Sequence, residues 1–169
     1  MRFFLTGFMG SGKSFWQKKL SIHLPFPCLD LDEMIVQGEQ QSITRLFEIH
    51  GESGFRVIER QYLQKTIELH DHLLLSLGGG TAVSDDTIKY LRSNGVLIYL
   101  QCPVDLLVKR LLAEKEYRPL LRELGDSEIE YFARELFLKR EKYYMQSDHI
   151  IDAEHMDTFT FAQLILNHV

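Results

Sequence analysis

Three groups of residues stand at spacings that chemistry uses. The first is Gly7-Phe8-Met9-Gly10-Ser11-Gly12-Lys13-Ser14, which fits the phosphate-loop pattern G-x-x-x-x-G-K-[ST] at every fixed position. Gly10, Ser11 and Gly12 let the backbone wrap a phosphate with N–H groups, and a following helix adds its positive end. Lys13 is expected to reach the β- and γ-phosphates, and the Ser14 hydroxyl to take Mg²⁺. No acidic residue precedes Asp30, whereas Arg2, Lys13, Lys18 and Lys19 all do, so the local field should favour an anion. Such a loop implies a nucleoside triphosphate without fixing the reaction. A small-molecule kinase and a GTP-dependent switch both fit. The switch would also need N-K-x-D and D-x-x-G, and the sequence has neither.

The second group is Asp30-Leu31-Asp32, closing an apolar run. Residues two apart in a strand face the same way, so both carboxylates would point from a strand's carboxyl end, where open α/β sheets bind ligands. One can organise Mg²⁺ waters; the other can orient or deprotonate an attacking hydroxyl. The competing reading is an Asp that caps the next helix.

The third group is built from arginines, glycines and one glutamate. Arg56 and Glu59 are three apart on a helical segment, with Arg60 beside them. They form either a solvated surface pair or a guanidinium fixed for a bidentate grip on a carboxylate. Gly78-Gly79-Gly80 directly after an apolar run gives up side chains at an entropic cost, which suits close approach of a ligand to the backbone. Arg118 lies in a charged segment from which an arginine can close over a triphosphate. In the last long helical segment Phe132, Leu136 and Arg140 share a face, turning Arg140 toward the covered side. Arg134 falls between the apolar positions and is expected at the surface. A covered arginine needs an anionic partner, structural or ligand.

Positioning these groups falls to alternating strands and helices. Apolar runs at Phe3–Leu5, Cys28–Leu31, Leu73–Leu77, Val96–Leu100 and His149–Ile151 read as five strands. Between them lie helical segments, including Lys13 to Leu24, one from Ser127 onward, and stripes at Leu107, Val108, Leu111 and Leu112, at Ile129, Phe132, Ala133, Leu136 and Phe137, and at Phe159, Ala162, Ile165 and Leu166. Strand–helix alternation argues a three-layer α/β/α fold around a parallel sheet. Asp32 to His70 lacks strands and reads as a cap of two or three helices, with turns at Gly38 and at Gly51–Gly54. Glu114 to Asp126 reads as a charged surface loop.

The chain has 169 residues, about one domain. With 19 Lys and Arg against 24 Asp and Glu its formal charge is −5, which disfavours general nucleic-acid binding. Its 45% apolar and 25% charged residues match ordinary globular usage and exclude a disordered or collagen-like chain. Cys28 and Cys102 are expected as buried thiols in a reducing compartment. No run approaches the roughly 20 apolar residues of a membrane span, so the expected location is cytoplasmic. A monomer is the default, because no long exposed apolar stripe remains once the helices are assigned.

Taken in order, these segments resemble the shikimate kinases, small relatives of the nucleoside monophosphate kinases. The resemblance covers essentially the whole length. It rests on the loop at 7–14, Asp30-x-Asp32, Gly51-Glu52-x-x-Phe55-Arg56-x-x-Glu59, Leu77-Gly78-Gly79-Gly80, Arg118-Pro119-Leu120-Leu121 and Arg140-x-x-Tyr143-Tyr144. It implies a single domain with a five-stranded parallel sheet of order 2-3-1-4-5, a substrate cap at about 32–60 and a lid at about 113–124. It implies transfer of the ATP γ-phosphate to the 3-hydroxyl of shikimate, with Mg²⁺, in the pathway to chorismate and the aromatic amino acids. By the same resemblance Asp32 meets the reacting hydroxyl, Asp30 serves Mg²⁺ through water, and Arg56 and Arg140 bind the shikimate carboxylate, with Glu59 holding Arg56. Gly78, Gly79 and Gly80 line the ring, Arg118 is the lid arginine, and Arg110 flanks adenine. Kinases for gluconate or quinate are the neighbouring alternatives. One departure stands out: Phe15 occupies the position after the loop serine where the family commonly has threonine. Its backbone N–H remains for the nucleotide, and weaker nucleotide binding is expected.

Overall fold

The computed structural model describes residues 1–115, 121 and 123–168. Five strands, β1 (Arg2–Thr6), β2 (Cys28–Asp30), β3 (Leu73–Ser76), β4 (Val96–Gln101) and β5 (His149–Asp152), form one sheet in the order β2-β3-β1-β4-β5. Every pairing is parallel. The helices are α1 (Lys13–Leu20), α2 (Leu31–Glu39), α3 (Ile43–Leu69), α4 (Asp85–Asn94), α5 (Val104–Ala113), α6 (Asp126–Tyr144) and α7 (Thr158–Leu166).

The strands are apolar on both faces because helices cover both. Phe4, Leu73, Leu75 and Leu97 pack with Ile35 of α2, Phe55, Leu63 and Ile67 of α3, and Ile88 and Leu91 of α4. Their neighbours Phe3, Leu5, Leu74 and Ile98 point the other way, onto Trp16 and Leu20 of α1 and Phe161, Ala162 and Ile165 of α7. This is the alternation that strand geometry imposes. A third cluster joins α5 and α6 through Leu107, Leu111, Ile129, Ala133 and Phe137, and reaches Phe8 of the phosphate loop.

Several sequence expectations are corrected. Helix α1 ends at Leu20, not Leu24. Gly38 lies inside α2, and the chain turns at Gln40, which takes a left-handed φ of 55°. A Cβ on Gly38 would collide with the Tyr62 hydroxyl, so this glycine serves helix packing. In α7 the buried phenylalanine is Phe161, edge-on to Trp16, and Phe159 is exposed. Cys28 is half-buried; Cys102 is buried as expected.

The turn expected around Gly51 is a kink within α3, where Gly51 sits at φ 65°, ψ 178°. That left-handed φ favours glycine. The kink folds Phe47 back to stack on Phe55, with ring centroids 4.3 Å apart.

Candidate active site

Two adjoining clefts open at the carboxyl ends of the strands, where β1 and β3 run side by side and lead into the phosphate loop and the glycine run. The first, of about 310 Å³, is lined by Gly10, Gly12, Lys13, Ser14 and Phe15 with Asp30 and Asp32. The turn from Phe8 to Ser11 closes through Ser11 N–H donating to the Phe8 carbonyl at 3.1 Å. Gly12 takes φ 93° and leads directly into α1, whose first turn carries no acidic residue and whose N-cap makes no side-chain bond. The positive end of α1 therefore faces the cleft. Lys13 Nζ donates to the carbonyls of Gly7 and Phe8 at 2.9 and 3.0 Å, curling over the loop. The buried Ser11 hydroxyl has no hydrogen-bond partner among the described residues. Arg110 donates to the Gly10 carbonyl at 2.8 Å, setting its guanidinium against the loop.

The other cations expected to shape the local field are engaged elsewhere. Lys18 pairs with Glu33 at 3.0 Å, Lys19 stands over the Phe15 ring, and Arg2 sits at the amino end of β1, beside Asp71. Of those four, only Lys13 lines the cleft.

The carboxylate pair converges by a route the sequence misreads. Strand β2 stops at Asp30, which caps α2 by accepting from the N–H groups of Asp32 and Glu33 at 3.0 and 3.3 Å. Asp32 therefore stands on the first turn of a helix, not on a strand. Asp30 also lines the first cleft, where its Oδ2 accepts from the Ser14 hydroxyl at 2.7 Å. Capping and site-building, read as alternatives, are combined in one side chain. Burial pushes the Asp32 carboxyl up to about 6, Asp30 and Glu59 add to the rise, and Lys13 and Arg56 oppose it.

The second cleft, of about 330 Å³, is lined by Arg56, Glu59, Arg140 and Gly78 to Gly80, with Phe47, Phe55 and Phe132 as its apolar walls. Arg56 NH1 donates to Glu59 Oε2 at 2.8 Å, and Glu59 is 4% exposed, so this is no solvated surface pair. The Phe55 and Phe47 rings lie 5.4 and 5.8 Å from the guanidinium carbon, a favourable cation–π distance. Arg140 NH1 donates to the Gly79 carbonyl at 3.0 Å, and the Tyr144 hydroxyl donates to the same oxygen at 2.5 Å. Arg134 stays at the surface, bonded to Asp105 and Glu130. A Cβ on Gly80 would run into the Arg56 guanidinium, and one on Gly79 would stand 3.1 Å from the Met9 backbone nitrogen. The bare backbone of this run is thus required by its neighbours. Arg60 is exposed and lines a separate cleft behind the Arg56–Glu59 pair.

Met9, Asp32 and Gly79 line both clefts. A triphosphate against the loop and a carboxylate-bearing acceptor against the arginines would meet at Asp32, which suits in-line transfer to a hydroxyl. Arg118, with Pro119 and Leu120, lies outside the described residues, as does much of the expected lid.

Two contributors, Phe47 and Thr81, are not read from the sequence, and a third, Tyr144, appears there only within the Arg140-x-x-Tyr143-Tyr144 segment, with no role. Tyr144 carried a signal, since it lies four residues after Arg140 on α6 and so shares its face. Thr81 directly follows the glycine run, and its hydroxyl donates to Glu59 Oε1 at 2.7 Å.

Residues 9–169 match the family model described as shikimate kinase. A shikimate kinase of Chlorobaculum tepidum is 40% identical over 153 residues, covering 88% of this chain and 79% of the relative. The crystal structure of shikimate kinase from Bacteroides thetaiotaomicron superposes with a TM-score of 0.87 at 29% identity, covering 99% of this chain and 97% of that one. Shikimate kinase from Acinetobacter baumannii in complex with shikimate superposes at 0.84, also at 29% identity, covering 99% and 91%.

Proposed function

The chain belongs to the shikimate kinase family, with that family's ATP-dependent activity in the shikimate pathway, and from that premise we propose how its own residues carry the transfer. The acceptor is the 3-hydroxyl of shikimate and the products are shikimate 3-phosphate and ADP. Shikimate enters the cleft of Arg56 and Arg140, whose guanidinium groups bind its carboxylate, while Glu59 fixes Arg56. Backbone at Gly78, Gly79 and Gly80 lines the ring.

The hydroxyl is brought to Asp32, which takes its proton as the oxygen attacks the γ-phosphorus. A carboxyl raised to about 6 is ionised at neutral pH yet more basic than an ordinary aspartate, which suits that role. Backbone N–H groups at Gly10, Ser11, Gly12, Lys13, Ser14 and Phe15 hold the phosphates, and Lys13 leaves its resting carbonyls to meet the γ-phosphate. Arg110 supports the loop and flanks adenine. Arg118 is assigned to the transferring charge by family resemblance alone.

The Ser14 hydroxyl and the Asp30 carboxylate fit Mg²⁺. They are two adjacent hard oxygen donors, one anionic and fixed by three hydrogen bonds, and this ion keeps most of its waters. Ser14 would ligate it directly and Asp30 through water. When bound, the ion neutralises charge on the β- and γ-phosphate oxygens.

Residues of about 32–60 act as the substrate cap and about 113–124 as the lid of a single domain. No described helix is long and apolar enough to cross a membrane; a cytoplasmic monomer is the corresponding proposal.

One observation carries this reading: Asp32 stands on the wall common to the two clefts. The test is ADP release from ATP with Mg²⁺ against shikimate, quinate, gluconate and nucleoside monophosphates. Shikimate should stimulate release above all the others; no stimulation over buffer would overturn the assignment.

A further inference from the structure

We propose that Thr81 is a substrate-positioning residue: by occupying one oxygen of Glu59 it decides which edge of Arg56 is left for the acceptor's carboxylate. The proposal rests on the functional reading above and extends it to a residue that does not touch substrate.

Glu59 is buried and its carboxylate has two oxygens to satisfy. Oε2 accepts from Arg56 NH1 at 2.8 Å, and Oε1 accepts from the Thr81 hydroxyl at 2.7 Å. Without Thr81, Oε1 would be a buried anionic acceptor with no donor. Its cheapest remedy would be to turn toward Arg56 and take both terminal nitrogens, the fork geometry that guanidinium and carboxylate prefer. Thr81 prevents this. Pairing through NH1 alone leaves NH2 against Gly80, on the wall of the acceptor cleft, with one long contact to Glu52 at 3.4 Å. That nitrogen is the one an incoming carboxylate can use.

Thr81 is itself fixed. Its side chain is buried, and its backbone N–H donates to the Gly78 carbonyl at 3.1 Å, closing the turn made by the three glycines. The residue therefore ties the backbone that lines the acceptor to the ion pair that grips it.

The isosteric Thr81→Val removes the donor and keeps the volume. The KM and the calorimetric Kd for shikimate should rise about tenfold, the scale of one hydrogen bond to a charged group. The KM for ATP should stay unchanged, and kcat should move far less than the shikimate KM. Thr81→Ser, which keeps the hydroxyl, should restore shikimate binding. If Thr81→Val fails to fold, Thr81→Ala carries the same comparison against Thr81→Ser. The proposal is overturned by a shikimate KM within about twofold of the native value, by an equal rise in the KM for ATP, or by failure of serine to rescue. The native enzyme is the separate control on the functional reading. Should it prefer another cyclic carboxylate to shikimate, that reading fails, and the ratio of Thr81→Val to native is measured with the preferred acceptor.

Discussion

On the proposed nucleotide side, the described loop groups assigned to phosphate come from one stretch, residues 10–15, and most of them are backbone N–H. On the acceptor side, Arg56 comes from α3, the glycines from the turn after β3, and Arg140 from α6. There the proposed working groups are charged side chains held across the fold: Arg56 by Glu59, Glu59 by Thr81, and Arg140 by the Gly79 carbonyl. Backbone wrapped around phosphate needs only the loop's own turns and the helix that follows. A carboxylate gripped by arginines needs each guanidinium oriented across the fold, because long side chains lose much rotamer freedom when fixed. The nucleotide side should therefore tolerate distant changes, and the acceptor side should fail at any of several supporting contacts.

The largest test falls where the two sides share a residue. Asp32→Asn keeps the shape and removes the base, and kcat should fall on the order of 10² to 10⁴ with little change in the KM for ATP, measured by coupled ADP release. Equal loss of both would move Asp32 from chemistry to scaffolding. The same variant should be more stable at neutral pH. A carboxyl raised from 3.8 to about 6 binds its proton more tightly folded than unfolded. Ionised Asp32 therefore costs stability, fully above about 6, and the cost fades as pH falls toward the unfolded value near 4. Asparagine should remove a penalty of at most about 3 kcal/mol at pH 7. Native and variant denaturation midpoints should converge near pH 4 in metal-free protein; a constant gap across pH would contradict this.

Arg140→Ala comes next. Its shikimate KM should rise about 10- to 100-fold, while Arg134→Ala, which removes solvated surface ion pairs, should leave both KM values alone. The reverse order would show that the wrong face of α6 had been assigned to the site. Gly79→Ala should break the separation between the two sides. Its Cβ would press on the Met9 backbone nitrogen of the phosphate loop, while its carbonyl holds Arg140 and Tyr144. Both KM values should rise, each by about tenfold or less, the effect expected when a turn must shift by a few tenths of an ångström in a closely packed site. A change confined to shikimate would mean that the glycine turn and the phosphate loop adjust independently.

The same contrast governs what was legible in the sequence. The phosphate loop is contiguous and the buried strands are uninterrupted apolar runs, so both could be read by position. Arg140 was separable from Arg134 because helical spacing alone sets their faces. Asp32 reaches the wall common to both clefts by a route other than the strand pairing expected of it: Asp30 caps α2 and ends the strand one residue early, combining two uses in one aspartate. Gly38 resembled a turn, but its cause is Tyr62 on the neighbouring helix. Phe161 was passed over for Phe159 because the phase of α7 is set by docking on Trp16. Thr81 acts through a bond to a residue 22 positions away. The Asp30 cap is local; each of the other misses is a tertiary contact overriding a local signal.

The smallest expected effect tests whether the nucleotide side is as self-sufficient as its backbone construction suggests. Phe15 stands 56% exposed beside the loop, edge-on to Trp16, with Lys19 Nζ 4.7 Å from its ring centroid. Its backbone N–H remains available, but its side chain offers no hydroxyl to a phosphate. Phe15→Thr would add that donor and remove a cation–π contact worth about 0.5–1 kcal/mol. It would also free Lys19, one helical turn along, to add positive charge near the bound nucleotide. The hydroxyl is worth about 1 kcal/mol if it bonds, so the KM for ATP should fall by about fivefold at most, with the shikimate KM unchanged. An unchanged ATP affinity would mean that backbone N–H groups and Lys13 already supply all the phosphate binding this loop can use.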